Sequence, residues 1–393
     1  MTSTHDTPRG DVVIQVSART DVGRTREHNE DAFVVIDFAS DQATLAPSGE
    51  RVLVGPHGTL LMVADGMGGA AAGEIASAMA TETLLTELRA SWSSHPSPSP
   101  DVFVQCMSDA ANAANAKIHQ YAAAHPDYRG MGTTATIAGV LGNEVYIAQV
   151  GDSRAYLVRN GTARQITKDQ SLMQKLIEAG ELTEEEAAHS ERRNIILQAL
   201  GPEPAIKLDI THQLVRRGDV LVLCSDGLSG QVSRDEIGAV ATRETDTSRA
   251  CETLIDMANR AGGPDNITVI VARFDGAGLE SPDSTDPVGH QIFTAEHAVA
   301  DRASDAGRIT VPIRADSLPD DDDESIMGVP VPPVAVSPPM TPVVSTARRR
   351  MGRVFTVGLL VIMILGALWF AARTIRQTWH LGQSRGAAGQ TAH

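Results

Sequence analysis

Five acidic residues stand where apolar runs begin or end. Asp65 follows the run 59–64 and opens Asp65-Gly66-Met67-Gly68-Gly69. Asp226 follows the run 219–224 and precedes Gly227, Asp265 closes a Gly-Gly-Pro turn ahead of the run 266–274, and Glu30 and Asp31 lead into the run 32–37. Taken singly, an Asp-Gly after a strand is an ordinary turn, and an Asp before Asn is an ordinary cap. Together they are a set of hard oxygen donors carried on four strand boundaries. Carboxylates converging from strand ends are what metal-assisted phosphate chemistry requires, because they hold divalent cations that neutralise charge and acidify water. The glycines beside Asp65 let backbone carbonyls and a bulky ligand come close.

The elements that must position these residues are legible as hydrophobic patterns. The segments 12–16, 32–37, 59–64, 133–140, 144–150, 153–158, 219–224 and 266–274 have the β-branched content and length of strands. Several are only two to five residues apart, which favours antiparallel hairpins over crossovers. Apolar residues recur at helical spacing in 71–89 (Ile75, Met79, Leu84, Leu88), in 102–121 (Val104, Met107, Ala111, Ile118) and in 248–260, the last stopped by Gly262-Gly263-Pro264. Hairpin strands with helix pairs between them imply an α+β sandwich in one domain, 12–275.

The rest of the 393-residue chain differs in composition. Within it, 276–347 holds 12 Asp and Glu against three Arg and no Lys, and 276–353, an acidic, proline-rich stretch that includes Asp320 to Glu324, reads as a disordered linker with a basic end. Residues 12–275 carry 35 Asp and Glu against 22 Lys and Arg, so no nucleic-acid footprint is expected. Three cysteines are too few and too scattered for a disulfide framework, which fits a reducing compartment. Residues 354–372 carry no charge, and at about 1.5 Å per residue such a helix spans roughly 28 Å, enough to cross a bilayer. Arg348, Arg349, Arg350 and Arg353 cluster before it, and a short polar tail, 373–393, with the sparser Arg373, Arg376 and Arg385, follows. That bias, with an N-terminus (1–11) that is polar and lacks the apolar core of a signal peptide, places the first domain on the cytoplasmic side of a single-pass inner-membrane anchor.

Six ordered motifs, Arg26-Glu27-His28-Asn29-Glu30-Asp31, Val63-Ala64-Asp65-Gly66-Met67-Gly68-Gly69, Gly130-Met131-Gly132-Thr133-Thr134, Val150-Gly151-Asp152-Ser153-Arg154, Cys224-Ser225-Asp226-Gly227-Leu228 and Gly263-Pro264-Asp265-Asn266-Ile267-Thr268, resemble the signatures of the bacterial protein phosphatase type 2C family. The resemblance implies an αββα sandwich, two antiparallel sheets face to face with helix pairs outside, and a metal cleft at one end. It implies two Mn²⁺ or Mg²⁺ ions, bridged by Asp65, bound by the Gly66 carbonyl, Asp226 and Asp265, with Glu30 and Asp31 close by. Arg26 would grip the substrate phosphate. A third ion, held in some members by the Asp226 equivalent and an aspartate before Gly-Met-Gly-Thr-Thr, makes Asp127 a candidate, with a turn residue the equal alternative. Asp152 and Arg154 read as structural. Met67 stands where eukaryotic members carry a proton-donating histidine, which leaves the general acid open between His28, His189 and water. Residues 168–201 resemble the family's mobile flap, with Gln170 where related proteins often have histidine, and Arg192 and Arg193 as candidate phosphopeptide contacts.

The function implied is hydrolysis of phosphoserine and phosphothreonine on proteins by a monomeric catalytic domain, opposing a serine/threonine kinase at the membrane. The alternative is a catalytically silent, membrane-tethered phosphoprotein-binding scaffold, which the loss of a metal carboxylate would favour. None is missing.

Overall fold

A computed structural model describes residues 11–39, 42–44, 48–68, 72–283 and 286–294. The chain divides into two units, Met1–Val311 and Pro312–His393, and every described residue belongs to the first. Its strands are β1 (Val13–Asp21), β2 (Asp31–Asp37), β3 (Gln42–Thr44), β4 (Ser48–Leu53), β5 (Thr59–Met67), β6 (Gly132–Thr133), β7 (Ala135–Leu141), β8 (Glu144–Val150), β9 (Arg154–Arg159), β10 (Thr162–Gln165), β11 (Asp209–Leu214), β12 (Val220–Cys224) and β13 (Ile267–Asp275). The helices are α1 (Ala72–Ser91), α2 (Pro100–Ala124), α3 (Leu172–Glu178), α4 (Glu184–Ala188), α5 (Asp226–Ser229), α6 (Arg234–Arg243) and α7 (Thr247–Arg260).

Two sheets form, all of their pairs antiparallel. One runs β10-β9-β12-β13-β1-β4, and the other runs β11-β8-β7-β5-β2-β3 with β6 attached to β5. The expected α+β sandwich is therefore present. Its central strands are apolar on both faces because both faces are covered. In β5, Leu61 and Val63 point into the space between the sheets, while Leu60, Met62 and Ala64 point outward under α1 and α2. In β13, Ile270, Ala272 and Phe274 face the same inter-sheet core, and Ile267, Val269 and Val271 pack under α6 and α7. Helix α1 offers Ala76, Ala80, Leu84 and Leu88, one residue per turn, to its sheet. Proline at the first position of α2 has no N–H to lose there.

Two expectations are corrected. The run 133–140 is two strands, because Thr134 leaves the ladder between β6 and β7 and turns its hydroxyl toward the backbone of Asp65. The domain also continues beyond residue 275. Leu279 is buried in the inter-sheet core and Val288 packs against it. Asp286 receives the Arg216 guanidinium at 2.7 Å. Residues 291–293 then pair with the edge strand β11, through His212 N–H to the Gln291 carbonyl and Phe293 N–H to the Ile210 carbonyl, both 2.9 Å. The acidic, proline-containing composition that suggested a linker here conceals three apolar anchors, and the segment satisfies an edge that would otherwise be open.

The N-terminal ten residues, the remainder of the linker, the apolar stretch 354–372 and the tail after it lie outside the described residues. Among the described residues no helix is long and apolar enough to cross a membrane.

Candidate active site

The antiparallel register of β2 and β5 sets Asp31 directly opposite Asp65. Gly66 N–H donates to the Glu30 carbonyl at 3.2 Å, so the entry to β2 is stitched to the end of β5. A side chain at Gly66 has no room, since a Cβ there would lie 2.2 Å from the Gly73 carbonyl oxygen and 2.5 Å from that of Glu30. In the other sheet β12 ends at Cys224, so Asp226 falls in the first turn of α5, and Gly227 lets that turn sit against Asn266, whose carbonyl oxygen would be 2.0 Å from a Cβ. Asp265 precedes β13, and its Oδ1 accepts from the Asn266 N–H at 2.9 Å. The ends of β2 and β5 from one sheet and of β12 and β13 from the other thus meet at one end of the sandwich.

Neutral donors lock these carboxylates. Ser225 Oγ donates to Asp31 at 2.8 Å and itself accepts from Thr268 N–H at 2.9 Å. Thr134 Oγ1 accepts from Asp65 N–H, while Thr134 N–H and Thr133 Oγ1 both donate to the Asp65 carbonyl, each at 2.9 Å. Asn266 bridges the loops, its Oδ1 taking the Glu30 N–H and its amide reaching the Val22 and His28 carbonyls.

The electrostatics are those of carboxylates in want of cations. Burial, then the charges of Asp226 and Asp265, push the Asp31 carboxyl up to about 7 against the Ser225 and Thr268 hydrogen bonds. Burial and the surrounding Asp31, Asp226, Asp152 and Asp265 hold Asp65 well above the carboxylate range. Asp226 is raised by burial and by Asp265, with a hydrogen bond from Asp65 working the other way. Glu30 is raised by burial first, and Arg26 opposes that. Each of these groups keeps an edge open to the cleft.

The donor set is all oxygen, drawn from separate strand ends, and several groups cannot ionise together without added positive charge. It fits hard divalent cations. Among the described residues no three carboxylate, imidazole or thiolate side chains are drawn together tightly enough to hold an ion. Instead, Arg26 reaches Asp265 at 2.8 Å, and Asp65 hydrogen-bonds Asp226. The guanidinium expected on a substrate phosphate therefore rests on the carboxylates it would otherwise face across the cleft.

Two cavities open here and share Arg26, Asn194, Asp226 and Asp265. One, of about 650 Å³, contains Glu30, Asp65, Gly66 and His28. The other, of about 600 Å³, runs under the flap past Asp152, Asp169 and Arg193. Arg192 lines neither. His28 opens on the first cavity, whereas His189 lies at the end of α4, its ring bonded to the Glu185 carbonyl. Asp127 is exposed in a 3-10 turn (Pro126–Tyr128) and lines neither cavity, so the structure does not bring it to the cluster.

Asp152 was missed by sequence reasoning. It is buried, its Oδ1 has no hydrogen-bond partner, and burial followed by the charges of Asp226 and Asp169 pushes it up to about 7. Its sequence setting, an Asp-Ser turn, signals nothing of this. Arg154, by contrast, is structural as expected, clamping Asp169 through Nε and Nη2.

Comparison with known proteins agrees with this geometry. A family model described as protein phosphatase 2C matches residues 51–268. The serine/threonine phosphatase stp of Listeria monocytogenes is 35% identical over 257 residues, covering 65% of this chain and 94% of its own. Protein phosphatase PhpP of Streptococcus pneumoniae is 36% identical over 262 residues, covering 67% and 98%. A solved catalytic domain of the serine/threonine protein phosphatase PstP, in complex with two manganese ions, is 34% identical with a TM-score of 0.55, covering 67% of this chain and 99% of its own.

Proposed function

This chain belongs to the protein phosphatase 2C family, and from that premise we propose that it hydrolyses phosphoserine and phosphothreonine on proteins with the help of two Mn²⁺ or Mg²⁺ ions. The observation that carries the proposal is the carboxylate cluster, with Asp31, Asp65 and Asp226 in mutual electrostatic contact at the ends of both sheets. Asp65, the Gly66 carbonyl, Asp226 and Asp265 would hold the ions, with Glu30 and Asp31 close by. Bound there, the ions supply positive charge for the phosphoryl oxygens and lower the pKa of water.

The chain's own groups do the rest. Ser225 and Thr134 fix the orientation of Asp31 and of the Asp65 backbone, so neither has to reorganise during turnover. Arg26, released from Asp265, is free to fork onto two phosphate oxygens and hold the ester in line for attack. No nucleophilic side chain is required, and Met67 cannot donate a proton to the leaving alkoxide.

The relatives' printed names support a protein substrate. The full chain should release phosphate from a phosphothreonine peptide only with added Mn²⁺ or Mg²⁺, and Asp65→Asn should lower kcat by about a hundredfold or more. Metal-independent turnover would remove the proposal.

We further propose that residues 354–372 anchor the chain in the inner membrane as a single pass. The catalytic domain then lies on the cytoplasmic side, where it reverses the work of a serine/threonine kinase. The uncharged length of that segment and the arginines before it support the anchor and its orientation. Reporter fusions at residue 393 read the topology. Export of the C-terminus agrees with the orientation, and a cytoplasmic C-terminus contradicts it.

A further inference from the structure

Both ends of the flap meet at two glutamines. Gly151 N–H donates to Gln170 Oε1 at 3.0 Å, and Gln170 N–H returns to the Gly151 carbonyl at 2.9 Å. The same Oε1 accepts from Gln198 Nε2 at 2.9 Å. Gln198 is itself fixed to the backbone of Lys207, donating at 2.7 Å and accepting at 2.9 Å. Beside this pair the two flap ends run antiparallel, with Leu197 N–H on the Gln170 carbonyl at 2.8 Å and Leu172 N–H on the Ile195 carbonyl at 2.9 Å. One side-chain oxygen therefore joins the start of the flap, its end, and the turn Gly151-Asp152.

That turn is not a neutral support. Gly151, at φ +100°, is packed so closely on Thr134 that a Cβ would lie 2.6 Å from its methyl group, and Thr134 holds the Asp65 backbone. Asp152 follows directly and lines the same cavity as Asp226. On the flap side the stitched segment carries Asn194, Ile195 and Ile196 into the wall of the cavity that contains Arg26 and Asp65. Ile195 is exposed in that wall as a large apolar side chain, and Leu197 is exposed two residues on.

We infer that Gln170 and Gln198 form a clasp that fixes the flap on the catalytic turn, and that Gln170 is a positioning residue for protein substrates. It sets where the wall of Asn194 to Ile196 stands relative to the phosphate cleft. Substrates long enough to touch that wall depend on the clasp more than small phosphate esters do. The inference rests on the phosphatase reading for its kinetic arm only.

The test uses the full chain, purified in mild detergent, with Gln170→Met, which keeps the volume and removes the accepting oxygen, and Gln170→Glu, which keeps an accepting oxygen. Hydrogen exchange in peptides covering 170–172 and 195–198 should accelerate about tenfold in Gln170→Met, while exchange in β5 and β13 is unchanged. Gln170→Glu should restore at least part of that protection. KM for a phosphothreonine peptide should rise in Gln170→Met at least about threefold more than KM for p-nitrophenyl phosphate. Unchanged flap exchange in Gln170→Met overturns the clasp, as does acceleration spread equally over β5 and β13. Equal changes in KM for both substrates overturn the positioning role. If the unmodified chain hydrolyses neither substrate with Mn²⁺ present, it is the phosphatase reading that fails, and the exchange measurement alone decides the clasp.

Discussion

At the scale of single residues, the site is held by groups that few sequence motifs would single out. Ser225 satisfies Asp31 and the Thr268 N–H at once. Removing its hydroxyl in Ser225→Ala leaves a buried donor unpaired, which should destabilise the domain by about 1–3 kcal/mol in denaturant unfolding. Arg26→Lys keeps the charge and loses the fork, so kcat/KM on a phosphopeptide should fall about tenfold or more, read by steady-state kinetics. The raised carboxyls also make a prediction about pH. A carboxyl whose folded pKa lies above its unfolded value stabilises the fold below the unfolded value, and that contribution is lost as pH rises through the folded one. With Asp31 and Asp152 both lifted from 3.8 to about 7, the metal-stripped chain should lose thermal stability between pH 4 and about 7. Mn²⁺ binds the ionised form, so it should raise Tm far more at pH 8 than at pH 5. Calorimetric scans with and without chelator check this, and a chelated chain whose Tm rises across that window speaks against the electrostatic account. Five of the cluster's acids were legible in sequence because each sits where an apolar run begins or ends. Asp152 was not, because burial of a short turn depends on what folds over it.

At the scale of elements, the strands buried on both faces were read from their apolar runs, with β6 and β7 merged into one, and α1, α2 and α7 from their periodicity. The polar edges were not. β11, Asp-Ile-Thr-His-Gln-Leu, shows no apolar run because its buried positions are the polar Thr211 and Gln213, whose side chains bond the Ile166 and Pro287 carbonyls, and β10 is four residues long. The strap that closes β11 was hidden for the same reason, with Leu279, Val288 and Phe293 scattered among prolines and acids. Ending the chain at 275 instead of 294 should therefore lower stability by about 2 kcal/mol or more, on the burial of Leu279 alone. Asp286 makes a separate contribution. Its hydrogen bonds from Arg216 hold its carboxyl down at about 2, so it stabilises the fold above the unfolded value near 3.8 and ceases to as pH falls through about 2. Discounted for its partial exposure, Asp286→Asn should cost about 1 kcal/mol at pH 7 and progressively less on acidification. Unfolding midpoints at the two pH values measure it. Gly66→Ala acts at the joint of β2, β5 and α1. With backbone oxygens within 2.5 Å of the new methyl group, it should destabilise by about 1–3 kcal/mol and depress turnover.

At the scale of the whole molecule, the sandwich brings two sheet ends together to make one acidic cleft, and a flap is fastened beside it. The α+β sandwich was legible from apolar strands and helical periodicity, and the cleft at one end of it from six ordered motifs that resemble a known family. The exact reach of the domain was not, because composition cannot distinguish a strap that docks from a tether that does not. The measurement that tests the account most directly is equilibrium dialysis of Mn²⁺ against the full chain, followed by phosphate release from a phosphothreonine peptide by the same samples. The account expects about two ions per chain, loss of binding in Asp65→Asn and Asp226→Asn, and release that follows occupancy. Release that persists in the stripped chain, or Mn²⁺ binding that neither substitution weakens, would contradict it.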